Sequence, residues 1–271
     1  MQRKFIDAGE NPPSGVVVHY YLNEAVDDEI KLTFSDGNDR ILKTFSSKNS
    51  ESPIVGTKTG TNRFVWDMRC SDTSSLIGSK GITGPVVPPG VYNVTLTVGA
   101  NTLSESFEIR KDPKVSASQK DLDSQFKLLT SINEKISSVN DSVNAIRKII
   151  QQVRECMERA GSDSKFKGLF EPATELTNRL ASIEAELVSI PGVNPQKPPP
   201  TRLVSKLTSL ISVVSSSDWI PTNQSYEVFD SICLNLDLQI QNLNTVIEKE
   251  LPKFSGLVKE LGLTEVVTDN S

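Results

Sequence analysis

The sequence predicts a multidomain α and β chain: a β-sandwich over residues 15–111, then an antiparallel four-helix bundle over residues 112–271 built around one long helix. Three observations lead there. Short β-branched segments with a period of two fill Gly15 to Lys111. At Lys111-Asp112-Pro113 the apolar spacing changes to threes and fours. Behind that point neither proline nor glycine occurs until Gly161.

Residues 1–14 read as a linker, because Asn11-Pro12-Pro13-Ser14 is a stretch that stays extended. Val16 to Leu22 is apolar and β-branched, with Tyr20 and Tyr21 inside it. Glu29 to Phe34 and Arg40 to Phe45 alternate, and Asp36-Gly37-Asn38-Asp39 between them is a hairpin turn in which Gly and Asn tolerate positive φ. Asn62 to Met68 is a strand around Phe64 and Trp66. Val91 to Val98 places Tyr92, Val94, Leu96 and Val98 on one face, and Gly99-Ala100-Asn101 turns the chain into Thr102 to Ile109. About six or seven short strands in roughly 100 residues predict a sandwich, with Trp66 and Tyr92 in its core.

In the second half, Ser116-x-x-Gln119 resembles a capping box. A stripe follows at Leu122, Phe126, Leu129, Ile132, Ile136, Val139, Val143, Ile146, Ile149 and Val153. It predicts one helix of about 40 residues, roughly 60 Å long. Leu169, Ala173, Leu176, Leu180, Ile183 and Leu187 mark a second helix, which Pro191 to Pro200 breaks. Thr201 caps a third helix with Leu203, Leu207, Leu210, Ile211 and Val214. Thr222 caps a fourth with Val228, Phe229, Ile232, Leu236, Ile240, Leu243 and Ile247, which Pro252 kinks or ends before a short terminal helix. One-sided stripes on short connections predict an antiparallel bundle. The later helices are shorter, so part of the Leu122–Val153 stripe is expected to outrun its own bundle and lie against the sandwich or another domain.

Composition narrows the chemistry. The chain carries 29 basic and 34 acidic residues, a net charge of −5, which argues against nucleic acid as a partner. No run of about 18 uncharged apolar residues occurs, so no membrane span is expected. One histidine and three cysteines nearly exclude a site of several soft ligands. Cys70, Cys156 and Cys233 are widely spaced without a CxxC pattern and read as free, mostly buried thiols. Met1-Gln2-Arg3-Lys4 and Phe5-Ile6 run at once into Asp7 and Glu10, which is no signal peptide; the chain is cytosolic or its start lies upstream.

Each candidate site has a plainer structural reading. His19, the only histidine, lies in the Val16–Leu22 strand with no local nucleophile or orienting carboxylate, and reads as structural or surface. Asp27-Asp28-Glu29 points three acids in different directions, unlike the staggered ligands of calcium, and reads as a solvated turn. Glu171, Glu175, Glu184 and Glu186 read as the wet face of a helix rather than a hydrolytic carboxylate pair. Gly78-Ser79-Lys80-Gly81-Ile82-Thr83-Gly84 has the wrong order for a phosphate loop, and Pro85, Pro88 and Pro89 stand where the helix should begin. No catalytic, cofactor-binding or metal residue is assigned, and no cofactor is expected.

Three segments carry a resemblance: Phe5 to Leu22, Gly60-Thr61-Asn62-Arg63-Phe64-Val65-Trp66-Asp67-Met68-Arg69, and Val87-Pro88-Pro89-Gly90-Val91-Tyr92-Asn93-Val94-Thr95-Leu96-Thr97. With Arg110-Lys111-Asp112-Pro113, Leu203 to Leu210 and Trp219-Ile220-Pro221-Thr222, they resemble the C-terminal region of large β-propeller proteins. Those are labelled glycosyl hydrolase-like, with BNR/Asp-box or sortilin-like repeats. The resemblance implies an immunoglobulin- or fibronectin type III-like sandwich joined to a helical bundle, and a propeller ahead of Phe5, in the same chain or separately encoded. The propeller's SxDxGxTW box does not occur here, so no catalytic residue carries over and the hydrolase label belongs to the propeller. The expectation is a non-catalytic accessory or interaction module that docks on the propeller. The alternative is a carbohydrate-binding module stacking sugars on Trp66, Tyr20, Tyr21 or Tyr92.

Overall fold

A computed structural model describes residues 14–49, 53–161, 163–189 and 202–263. Most of the linker, the Pro191–Pro200 run and the Thr201 cap lie outside the described residues. The chain has mixed α and β content and divides into two compact units. The first holds residues up to Ser71 and Thr83–Gln119; the second holds Asp72–Ile82 and everything from Lys120 onward. The chain therefore passes between the units three times, and a strip from the middle of the β-rich half belongs with the helices.

The first unit contains β1 (Val16–Leu22), β2 (Ile30–Asp36), β3 (Ile41–Ser46), β4 (Gly60–Trp66), β5 (Gly90–Val98) and β6 (Asn101–Ile109). β1 and β4 pair antiparallel, from Val16 opposite Trp66 to Leu22 opposite Gly60. The other four form an antiparallel sheet in the order β3-β2-β5-β6. Alternation decides what is buried. Ile30, Leu32 and Phe34 on β2, and Asn62, Phe64 and Trp66 on β4, all turn inward. The rings of the two sheets meet: Phe34 stacks on Trp66 at 4.3 Å between centroids and meets Phe45 and Phe107 edge-on at 6.0 and 6.3 Å. The Trp66 indole N–H donates to the Arg69 carbonyl at 2.9 Å, so its burial leaves no orphaned donor. Trp66 and Tyr92 are both buried, as expected.

The β2–β3 turn differs from expectation in detail. Its positive φ, 61°, belongs to Asp39 rather than to Gly37 or Asn38. Asp36 explains why: its carboxylate accepts from the Asn38 and Arg40 amides at 2.9 and 3.0 Å, which winds the turn one residue further.

The second unit contains α1 (Gln119–Ala160) apart from its first residue, Gln119, which belongs to the first, and α2 (Lys167–Leu187), α3 (Leu203–Val214), α4 (Asn223–Thr245) and α5 (Leu251–Glu260). At 1.5 Å per residue, α1 is about 63 Å long. It begins beyond Ser116, whose capping role is thus not used, and the Gln119 amide donates instead to the Pro89 carbonyl at 2.8 Å. α1 stops where Gly161 takes φ 58° and its amide returns to the Met157 carbonyl at 3.1 Å, the left-handed stop that glycine makes cheaply. Thr222 caps α4, its hydroxyl accepting from the Ser225 amide. One π turn, Val246–Glu250, joins α4 to α5, and Leu251 N–H reaches back to the Val246 carbonyl. Pro252 stands at the start of α5 just after this wider turn, where its missing N–H disrupts least.

The α1 stripe is buried from Leu128 through Ala160 in one apolar cluster with α2, α3, α4 and α5; Leu122 and Phe126 are half-buried. The expected uncovered end is thus reduced to its first turns. Part of the cover is the strip Asp72–Ile82, which lies on α1 as a strap. Leu76 and Ile82 pack against the helical cluster. Ser74 N–H donates to Ser137 Oγ at 3.1 Å, and Ser74 Oγ donates to the Ser137 carbonyl at 2.9 Å. Asn140 Nδ2 donates to the Ser74 carbonyl at 2.7 Å. Asn144 accepts from the Ile77 amide at 3.1 Å and donates to the Ser75 carbonyl at 2.9 Å. Residues 133, 137, 140 and 144 fall on one face by helical spacing, so α1 carries a polar ridge beside its apolar stripe.

Candidate functional site

The residues singled out in the sequence fall in scattered places. His19 is exposed on β1 opposite Arg63. Asp27 and Asp28 are exposed, while Glu29 accepts a hydrogen bond from Ser46 Oγ and pairs with Lys31 at 3.1 Å, and these contacts hold its carboxyl below the usual range. Glu171, Glu175 and Glu186 are exposed. Glu184 departs from the wet-face reading: it is buried, and Arg147 of α1 donates to it at 2.7 Å. The stripe Leu176, Leu180, Ile183, Leu187 and the position of Glu184 one residue beyond Ile183 carried that signal, since a charge flanking a core position needs a partner.

The glycine-rich segment is the returning arm of the strap. Thr73 N–H donates to the Ile82 carbonyl at 2.9 Å, and Ile82 N–H to Thr73 Oγ1 at 2.8 Å. A Cβ at Gly81 would stand 2.1 Å from the Thr73 carbonyl oxygen, so glycine is there to let two backbone arms close on each other. Of the four candidate stacking rings, Trp66, Tyr92 and Tyr20 are buried, and Tyr20 donates to the Gly56 carbonyl at 2.6 Å. Tyr21 keeps 66% of its surface open.

The three cysteines are free. Burial raises each thiol's pKa, that of Cys70 to about 11, which keeps it protonated and a poor nucleophile at neutral pH. Among the described residues no group of three or more His, Cys, Asp or Glu is placed to hold a metal ion, and no helix is long and apolar enough to cross a membrane.

The concavity with a coherent chemistry lies in the helical unit. A groove of about 720 Å³ runs between α3 and α4. Leu210, Val213, Val228 and Ile232 give it an apolar lining, and among the described residues Lys206 and Glu227 are the ionisable side chains along it. The helices set this up by carrying apolar residues off their buried stripes. Leu207, Leu210 and Val214 of α3 are buried, and Val213 projects sideways with 61% of its surface exposed. On α4, Ile232, Leu236 and Leu243 are buried. Val228, expected in the buried stripe, is exposed at the groove instead, because α4 turns Ser225, Phe229, Ile232 and Leu236 inward and Val228 lies to one side of that line. In the α3–α4 connection Trp219 is 56% exposed and Ile220 is exposed next to it, and Leu234 and Leu238 are exposed on another face of α4. The signal for this face was present in α3, where Val213 breaks the one-sided pattern of its neighbours.

No family model matches the chain, and neither does any curated protein or solved structure.

Proposed function

We propose that the chain is a non-catalytic interaction module that docks on a partner through the α3–α4 face. The observation that carries this reading is the open groove lined by Leu210, Val213, Val228 and Ile232, of which Val213 and Val228 are exposed. Exposed apolar side chains that line a groove are costly to leave in water, and filling such a groove is how many interfaces gain their stability. Trp219, in the connection between the two helices of the groove, is exposed, and an exposed tryptophan is the kind of anchor on which binding energy concentrates. Resemblance supplies the partner: a β-propeller, in the same chain or separately encoded. In this reading the strand unit is an immunoglobulin-like sandwich, supported by the ring packing between its two sheets, and the helical unit is an antiparallel four-helix bundle with one long helix, supported by the single apolar cluster. The module performs no hydrolysis itself. Nor does it bind nucleic acid, a reading that the net charge of −5 supports.

The test uses the whole chain and a separately produced propeller of the resembled family. Val213→Glu and Val228→Glu place charge in the groove at exposed positions, so folding should be kept. Saturable association by light scattering that either variant weakens at least tenfold is the expected result. Absence of association, or association indifferent to both variants, would sink the docking reading.

A further inference from the structure

The outer face of the β1–β4 pair joins an exposed ring to unpaired cations. Its register sets His19 opposite Arg63 and Tyr21 opposite Thr61. Side chains alternate along a strand, so these four share one face, while Tyr20, Leu22, Asn62 and Phe64 turn inward and are buried. His19, Tyr21, Thr61 and Arg63 are all exposed. Lys58 is brought alongside by Asn62, whose side chain accepts from the Lys58 amide at 3.2 Å and donates to its carbonyl at 2.6 Å. Lys58 and Arg63, with Thr57 and Thr61, line a groove of about 550 Å³ against β4. Some other long cations are matched, as Lys31 is with Glu29 and Lys135 with Asp237. Among the described residues the Lys58 ammonium, the Arg63 guanidinium and the His19 ring have no hydrogen-bond or ion-pair partner.

We propose that this face binds an acidic saccharide, a pyranose carrying a carboxylate. Tyr21 offers an open ring for the C–H face of the sugar. Arg63 is its diagonal cross-strand neighbour, about 7–8 Å away between backbones, roughly the reach from a stacked pyranose to its carboxylate. A guanidinium grips a carboxylate through two parallel hydrogen bonds, which an ammonium cannot do. Lys58 adds positive charge from the groove wall, and the Thr57 and Thr61 hydroxyls provide donors and acceptors for sugar hydroxyls. The paired strands fix the backbones of Tyr21, Thr61 and Arg63, while Lys58 and Thr57 lie in the segment that leads into β4. The exposed ring favours a sugar over a bare anion. Two fixed cations and a histidine are too few to release counterions from many phosphates, which favours a single uronate over a nucleic acid. The site is separate from the α3–α4 groove and does not depend on it.

The experiment is calorimetric titration of the full chain with a galacturonate hexamer, a hyaluronan hexamer, the methyl-esterified galacturonate hexamer and a twelve-residue oligothymidylate. Saturable binding of a uronate hexamer is expected. Arg63→Gln and Tyr21→Ala should each weaken it by about tenfold or more, with Arg63→Lys between the wild type and Arg63→Gln. An unchanged melting temperature in each variant certifies the fold, because both side chains are exposed. The proposal is overturned if neither uronate hexamer binds, if the methyl ester binds as well as the acid, if the variants bind like the wild type, or if the oligothymidylate binds more tightly.

Discussion

Replacing Asn140 by alanine tests whether the strap is part of the helical unit's fold. Asn140 is 6% exposed, and its amide donates to the Ser74 carbonyl at 2.7 Å. Losing that bond and stranding the carbonyl costs about 1–3 kcal/mol. Some of this is returned, because Asn140 Oδ1 is itself buried with no partner and the substitution removes it. The net loss is about 1–2 kcal/mol, a factor of roughly 5–30 in an opening equilibrium. The strap should open locally rather than with the whole unit, since its apolar anchors, Leu76 and Ile82, are only half-buried. Amide hydrogen exchange reads this directly. Thr73, Ser74, Ile77 and Ile82 all donate into the strap's own pairing or onto α1, and their exchange should quicken by about that factor. Amides in the middle of α1 should keep their rates. Asn144→Ala, at an exposed rung, should have a smaller effect of about 0.5–1.5 kcal/mol centred on Ile77. Unchanged strap exchange in Asn140→Ala would refute the reasoning. So would a uniform quickening along α1, which would mean that strap and helix open only together.

Trp66→Ala should destabilise the strand unit by about 3–5 kcal/mol, from the emptied volume beside Phe34 and the lost bond to the Arg69 carbonyl; urea unfolding followed by the strand circular dichroism checks it, while Trp219 fluorescence reports on the helical unit. Glu184→Ala should cost about 2–4 kcal/mol by leaving Arg147 without its partner, whereas Arg147→Met combined with Glu184→Leu should fall near the wild type, an outcome a double-mutant cycle by denaturation would show or deny. The Cys70 thiol has a pKa raised to about 11 in the folded chain, so the unfolded chain loses this proton first. Its contribution is fully present below the unfolded thiol's pKa, near 9, and is lost as pH rises towards 11; Cys70→Ser should flatten that alkaline decline in melting temperature, and an identical decline in both proteins would count against it.

How much could be read from residue order depends on the kind of signal. Strand and helix positions were legible because periods of two and of three to four are local: Val16–Leu22 coincides with β1, and the α1 stripe from Leu129 to Val153 is buried almost residue for residue. Turn detail was less so, because the Asp36 carboxylate, rather than Gly37, sets where the chain takes positive φ. The strap was invisible for a different reason. Ser74, Ser75 and Ile77 have no period, and their partners Ser137, Asn140 and Asn144 read as ordinary polar positions on a long helix. Pairing of a loop with a helix more than sixty residues away leaves no trace in spacing. The α3–α4 groove was half legible: Val213 departs from its stripe in the sequence, but Val228 reads as part of the α4 stripe, and only the rotation of α4 that turns Ser225, Phe229 and Ile232 inward leaves it open.

The two flanks of the helical unit answer opposite chemical needs, and this bears on where a partner belongs. The polar ridge of α1 would be expensive to cover with anything lacking matched donors and acceptors, since desolvated amides demand hydrogen bonds of defined geometry. The chain supplies that match itself through Ser74, Ser75 and Ile77, with positions fixed by backbone groups. An apolar groove makes no such demand: any surface of complementary shape gains from filling it, because the driving force is non-directional. The α3–α4 groove stays open while the more exacting ridge is closed. Under the docking reading proposed above, a partner filling the open groove would meet an apolar contact flanked by Lys206 and Glu227, whose charges have no ion-pair partner among the described residues.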